Sequence, residues 1–138
     1  MKKPTRQKLL KELDKLWSLA VRNRDKKCIL CGQTKDVKKL QAHHWIKTRA
    51  RSLKYRFDIR NGVSLCYGCH ICQLHNNPTV DMIEDLTEKC LDSGIVTRAE
   101  IEEIKNDNDT IKYSIEELKD KINLLKAENE SKEQVWKN

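Results

Sequence analysis

Aromatic side chains are scarce, with one Phe, three Tyr and three Trp in 138 residues. Ile, Leu, Val and Phe together fill 33 positions, just above the composition at which disorder becomes the default. The chain is long enough for one ordinary domain, but its core must be small, and small cores need a staple such as a metal, disulfides or a second copy. No run of about 18 apolar residues exists, which excludes a membrane-spanning helix. Met1-Lys2-Lys3-Pro4 leads into charged sequence without an apolar stretch, so a cytoplasmic chain rather than a secreted one is expected. In a reducing cytosol, paired Cys-x-x-Cys spacings bind metal more often than they form disulfides.

Charge is abundant and segregated. Residues 1–78 carry 19 Lys and Arg against five Asp and Glu, whereas residues 79–138 carry nine against 16. A basic half and an acidic half predict two jobs, the first being to meet a polyanion. All four histidines and every cysteine but Cys90 also lie in the basic half, which makes nucleic acid the expected partner.

The chain divides into an N-terminal segment, 1–27, a cysteine-rich segment, 28–78, and an acidic helical tail, 79–138. Leu9, Leu13, Leu16, Trp17 and Ala20 share one face of a helix over 5–22. Its other face is basic, suited to DNA, but its expected use is to cover the metal domain with its leucine face. Strands are expected over 40–46 and 63–65, with Asn61-Gly62 as a turn signal before the second. A short helix follows over about 67–76. In the tail, a helix over 80–92 ends at Gly94, and Thr97-Arg98-Ala99-Glu100 is a capping box that opens a long helix. Along it Ile101, Asn108, Ile115, Ile122 and Asn129 take heptad position a, and Ile104, Ile111, Leu118 and Leu125 take d. Ile and Asn at a with Ile and Leu in equal number at d predict a parallel two-stranded coiled coil, a homodimer through 101–132. The alternatives are one amphipathic helix packed on its own domain, or a helix that binds another protein.

Cys28-x-x-Cys31 and Cys66-x-x-Cys69 supply four thiolates for a tetrahedral structural zinc. The 34 residues between the pairs are too many for a simple zinc ribbon, so that insert is expected to hold the chemistry. It contains the adjacent His43 and His44, then Asn61, and His70 directly follows the last cysteine of the pair. Neighbouring side chains on a strand point to opposite sides. One of His43 and His44 can share a cation with His70, and the other can face substrate as a general base. Asn61 can tie the loop to the strand through its amide. Lys47, Arg49, Arg51, Lys54, Arg56 and Arg60 lie in the loop and are expected to clamp phosphates, with affinity that falls as salt rises.

The order Cys-x-x-Cys-Gly, His-His, Asn, Cys-x-x-Cys-His resembles the HNH (ββα-metal) endonuclease family. Leu40-Gln41-Ala42-His43-His44, with Arg56-Phe57-Asp58 and Asn61, looks most like the NinG (Rap) phage recombination proteins, and phage endonuclease VII is more distantly similar. The resemblance covers about 28–77. It implies an α+β, zinc-stapled ββα-metal domain flanked by the basic helix and the long C-terminal helix. It places His43 and His70 at the metal-ligand positions, His44 at the general-base position and Asn61 at the structural Asn position. The implied activity is metal-dependent hydrolysis of DNA phosphodiester bonds with Mg, Mn, Ni or Zn, in the host bacterial cytoplasm if the protein is phage-encoded. His75 has no firm counterpart and is read as a third ligand, a phosphate contact or neither. Cys72 is read as a spare thiol near the zinc, and Cys90 as a small residue on a helix face. The alternative function is a non-catalytic zinc module that binds DNA and recruits a partner through its tail.

Overall fold

The computed structural model describes residues 3–33, 39–75 and 78–137, and among these the side chains other than those of 72–75 and 132–137. The structure is mixed α and β, mostly helical, around one two-stranded sheet. None of the described helices is long and apolar enough to cross a membrane.

Helix α1 (Arg6–Asp25) starts at Thr5, whose hydroxyl accepts from the Lys8 N–H, and ends at Lys26 in the left-handed conformation. It buries Leu9, Leu13, Trp17, Ala20 and Val21. Its C-terminal turn is pinned to the sheet: Arg24 donates to the carbonyls of Ile59 and Gly62, and the Asp25 carboxylate accepts from the Ser64 N–H.

Strands β1 (Gln41–His44) and β2 (Gly62–Leu65) pair antiparallel, with His43 opposite Val63 and His44 opposite Gly62. The first strand stops short of the 40–46 span expected from sequence. Beyond it the N–H groups of Ile46 and Lys47 turn away from the ladder to the Asn61 side chain. Gly62 is required by packing, because a Cβ there would lie 2.5 Å from Val21 and 2.6 Å from Trp17. Between the strands run a one-turn helix α2 (Leu53–Arg56) and a 3-10 turn (Ile59–Asn61). After β2 comes a π-helix (Gly68–His75), a winding that recurs at functional sites.

Helix α3 (Val80–Asp92) and helix α4 (Arg98–Asn106) pack on the cysteine-rich segment. Leu86, Cys90, Val96 and Ile101 join Cys28, Ile29, Leu30, Leu40, Val63, Leu65 and Cys69 in one core. The capping box at Thr97 and Glu100 forms both of its bonds.

The long heptad helix is broken. Residues 107–114 are not helical, and the last helix, α5, spans Ile115–Lys137. Asp107 is held outside the helix by α2 and the loop before it. Its carboxylate accepts from Lys54 Nζ and Tyr55 Oη, both at 2.5 Å, and its carbonyl accepts from Lys47 Nζ. The Lys54 and Tyr55 bonds hold its carboxyl below the usual carboxylate range. Ser114 and Glu117 then form a second reciprocal cap that restarts the helix.

The continuous helix expected over 101–132 is thereby corrected, and most of its apolar positions serve two cores inside one chain. Ile101 sits in the cysteine-rich core. Leu118, Ile122 and Leu125 pack with Leu9, Leu13, Trp17 and Phe57 in the other. Asn129 Nδ2 donates to the Leu16 carbonyl of α1 at 3.2 Å, and Lys126 pairs with Glu12 at 3.3 Å. Of the expected seam, Leu118, Ile122, Leu125 and Asn129 pack toward α1, whereas Ile115 is exposed. Each core therefore draws on more than one of the segments 1–27, 28–78 and 79–138.

Candidate metal centre and catalytic cleft

The four cysteines converge. The Sγ atoms of Cys28, Cys31, Cys66 and Cys69 all lie within 4.8 Å of one another, and those of Cys31 and Cys66 are 3.8 Å apart. Four sulfurs about 2.3 Å from a tetrahedral zinc stand about 3.8 Å from each other, so the donor set and spacing fit that ion. The first knuckle closes through Gly32 N–H to the Cys28 carbonyl at 2.8 Å, with Gly32 at a φ of 77° that favours glycine. Burial pushes the thiols of Cys31 and Cys69 up. At Cys66 burial also acts upward, but the Cys69 backbone N–H and the neighbouring thiols outweigh it and bring the thiol down to about 7. Cys90 is buried in the adjacent core, its thiol pushed up to about 12 by burial, and is outside the cluster.

An open cleft of about 700 Å³ lies beside this centre, lined by Ala42, His43, His44, Thr48, Arg49, Ala50, Arg56 and His70. The rings of His43 and His70 meet edge to face with centroids 5.0 Å apart. Two imidazoles bound cis to one divalent ion at about 2.1 Å would have centroids about 5 Å apart, so the pair fits a shared cation. His70 Nδ1–H donates to Gln41 Oε1 at 2.6 Å, the kind of bond that orients a metal-ligating imidazole. The side chains of His75 and Cys72 lie outside the described ones.

His44 is held differently. Its Nε2–H donates to the Arg56 carbonyl at 2.9 Å, so Nδ1 is the unprotonated nitrogen. Its ring stacks on Trp17, with centroids 3.9 Å apart and planes 7° from parallel. Burial lowers its pKa and keeps the imidazole neutral near pH 7, the state a general base needs.

Asn61 is wholly buried. Its Oδ1 accepts from the N–H groups of Ile46 and Lys47, and its Nδ2 donates to the carbonyls of Lys47 and Tyr55. It touches no cleft atom in these bonds, but it fixes the loop that starts at His44 and returns at Arg56.

The six loop cations separate into groups. Arg49 and Arg56 line the cleft and share Asp14 of α1, Arg49 at 3.0 Å and Arg56 in a two-pronged bond at 3.0 and 2.6 Å. Arg51 is exposed. Lys47 and Lys54 engage Asp107, and Arg60 pairs with Asp58 at 2.7 Å and Glu100 at 2.9 Å. Lys54 and Arg60 thus meet carboxylates of the acidic half, Asp107 and Glu100, inside the chain.

Three residues that bond to or stack on cleft-lining side chains were not read from sequence as site residues. Gln41 stands two residues before His43 and shares its strand face, so the two-residue period could have found it. Trp17 and Asp14 reach the site from α1 by contacts across about 27 and 42 positions, and nothing local in the sequence signals them.

The family model described as the bacteriophage Lambda NinG protein matches residues 2–134. No curated protein and no solved structure matches the chain. The family match extends beyond the Cys-His segment to α1 and most of α5. On that coverage the chain belongs to the bacteriophage lambda NinG protein family.

Proposed function

We propose that the protein is a metal-dependent endonuclease that hydrolyses DNA phosphodiester bonds in the cleft, acting in phage recombination or DNA processing within the host cytoplasm. The observation that carries this reading is the division of labour among three histidines. His43 and His70 face each other at cation-sharing distance, and His44 is held apart in one tautomer.

His43 and His70 would hold the ion. A divalent cation there, Mg, Mn, Ni or Zn, would supply Lewis-acid stabilisation of developing negative charge. His44 Nδ1 takes a proton from water as the water oxygen bonds to phosphorus, and the bond to the 3′ oxygen breaks. Arg49 and Arg56, at the rim, contact the phosphate backbone. Such contacts position the duplex without reading its sequence. The four-cysteine centre, loaded with zinc, fixes the start of the π-helix that carries His70, one residue after Cys69.

The test is incubation of the protein, stripped with EDTA, with supercoiled and branched DNA, restoring each of the four metals separately. Nicked or linear product that requires added metal supports the reading. DNA that is bound but left intact under every metal would overturn it in favour of a non-catalytic zinc-containing DNA-binding module.

A further inference from the structure

His43, His44 and His70 account for the chemistry proposed above, yet two side chains of α1 also converge on His44. The indole of Trp17 covers one face of the imidazole, 3.9 Å away and nearly parallel. That indole is itself immobilised, since its Nε1–H donates to the Asp58 carbonyl at 2.9 Å and its ring fills the space left by Gly62, the strand partner of His44. Asp14, one turn earlier on the helix, grips the Arg56 guanidinium through two bonds. Arg56 is the residue whose carbonyl accepts the His44 Nε2–H. The stack restrains the plane of the ring, and the bond to the anchored carbonyl restrains its rotation within that plane. Together they determine where Nδ1 points.

We propose that α1 completes the reaction centre, with Trp17 and Asp14 as positioning residues that hold the His44 imidazole in its proton-accepting orientation and tautomer. The inference rests on the hydrolytic reading, and it extends the site beyond the Cys-His segment into the N-terminal helix that the family match also takes in. Neither side chain bonds substrate in this assignment. Asp14 carries a negative charge next to two arginines at the rim, so on charge alone its removal would favour DNA.

The experiment measures single-turnover cleavage at saturating DNA with Mn, alongside DNA affinity in EDTA, for wild type, Trp17→Leu, Trp17→Phe and Asp14→Asn. Zinc content and melting temperature are followed in each. Trp17→Leu keeps an apolar side chain without a ring to stack, and its rate should fall about ten- to a hundredfold, the scale of a displaced catalytic group. Its DNA affinity should be unchanged. Trp17→Phe restores a stacking face and should recover most of that rate. Asp14→Asn should bind DNA as tightly as wild type or more tightly, and still cut more slowly. A merely structural role would leave the saturated rate unchanged in every variant that folds.

Wild-type rates in Trp17→Leu and Asp14→Asn, beside an active wild type, would overturn the inference and leave the nuclease reading standing. If Trp17→Leu loses its zinc or its cooperative melt, Asp14→Asn decides. A wild type that cuts nothing overturns both.

Discussion

Asn61 grips both ends of one residue: its Oδ1 accepts the Lys47 N–H at 2.8 Å, and its Nδ2 donates to the Lys47 carbonyl at 2.8 Å. A side-chain amide thus does for the loop what a neighbouring strand would do, closing a ring with both backbone groups of one residue. With Ile46 and Tyr55 as further partners, one buried side chain satisfies four backbone groups outside the sheet.

Asn61→Ala should therefore destabilise the fold by about 2–3 kcal/mol, since buried donors and acceptors lose their partners together. Urea denaturation measures it. A loss below about 0.5 kcal/mol, the scale of an ordinary surface substitution, would show that the loop is held by something else.

The pairing of α5 with α1 makes a second prediction. Leu118 is fully buried between them, and Leu118→Ala should cost about 2–5 kcal/mol. Because the seam is filled by the same chain, the melting temperature should not depend on protein concentration. A melting temperature that rises with concentration would restore the two-chain coiled coil, in which folding and association are linked.

What was legible in the sequence was local. The cysteine pairs announced themselves because both partners of each knuckle lie three residues apart. His43 and His44 at the end of β1, and His70 just after the second cysteine pair, line the cleft, and Asn61 directly precedes β2. The tail was misread because the heptad, a long-range regularity, outweighed two short signals inside it. Asn106-Asp107-Asn108-Asp109-Thr110 is a run of poor helix formers. Ser114-Ile115-Glu116-Glu117 has the spacing of a capping box. Both mark the break at 107–114. Tertiary contacts then decided it, through Lys54 and Tyr55 on Asp107. The same limit hid Asp14 and Trp17, whose partners are distant in sequence. It also hid two ion pairs between the halves, Asp107 with Lys54 and Glu100 with Arg60.

Cys66→Ser should release the structural ion and with it part of the core that Cys28 and Cys69 share with α3 and α4. Zinc content by elemental analysis should fall from about one per chain toward zero, and the melting transition should drop or broaden. Chelation of the wild type by EDTA should move the melt in the same direction. A variant that keeps both its zinc and its melting temperature would show that the ion is held elsewhere.

Proton transfer from the attacking water to His44 is tested by the single-turnover cleavage rate of His44→Ala at saturating DNA and metal. The substitution leaves the four cysteines, His43 and His70 in place. Zinc content and DNA affinity should therefore match wild type, while the rate should fall about 10²- to 10⁴-fold, the usual cost of losing a general base. Cleavage by His44→Ala near the wild-type rate would contradict the account.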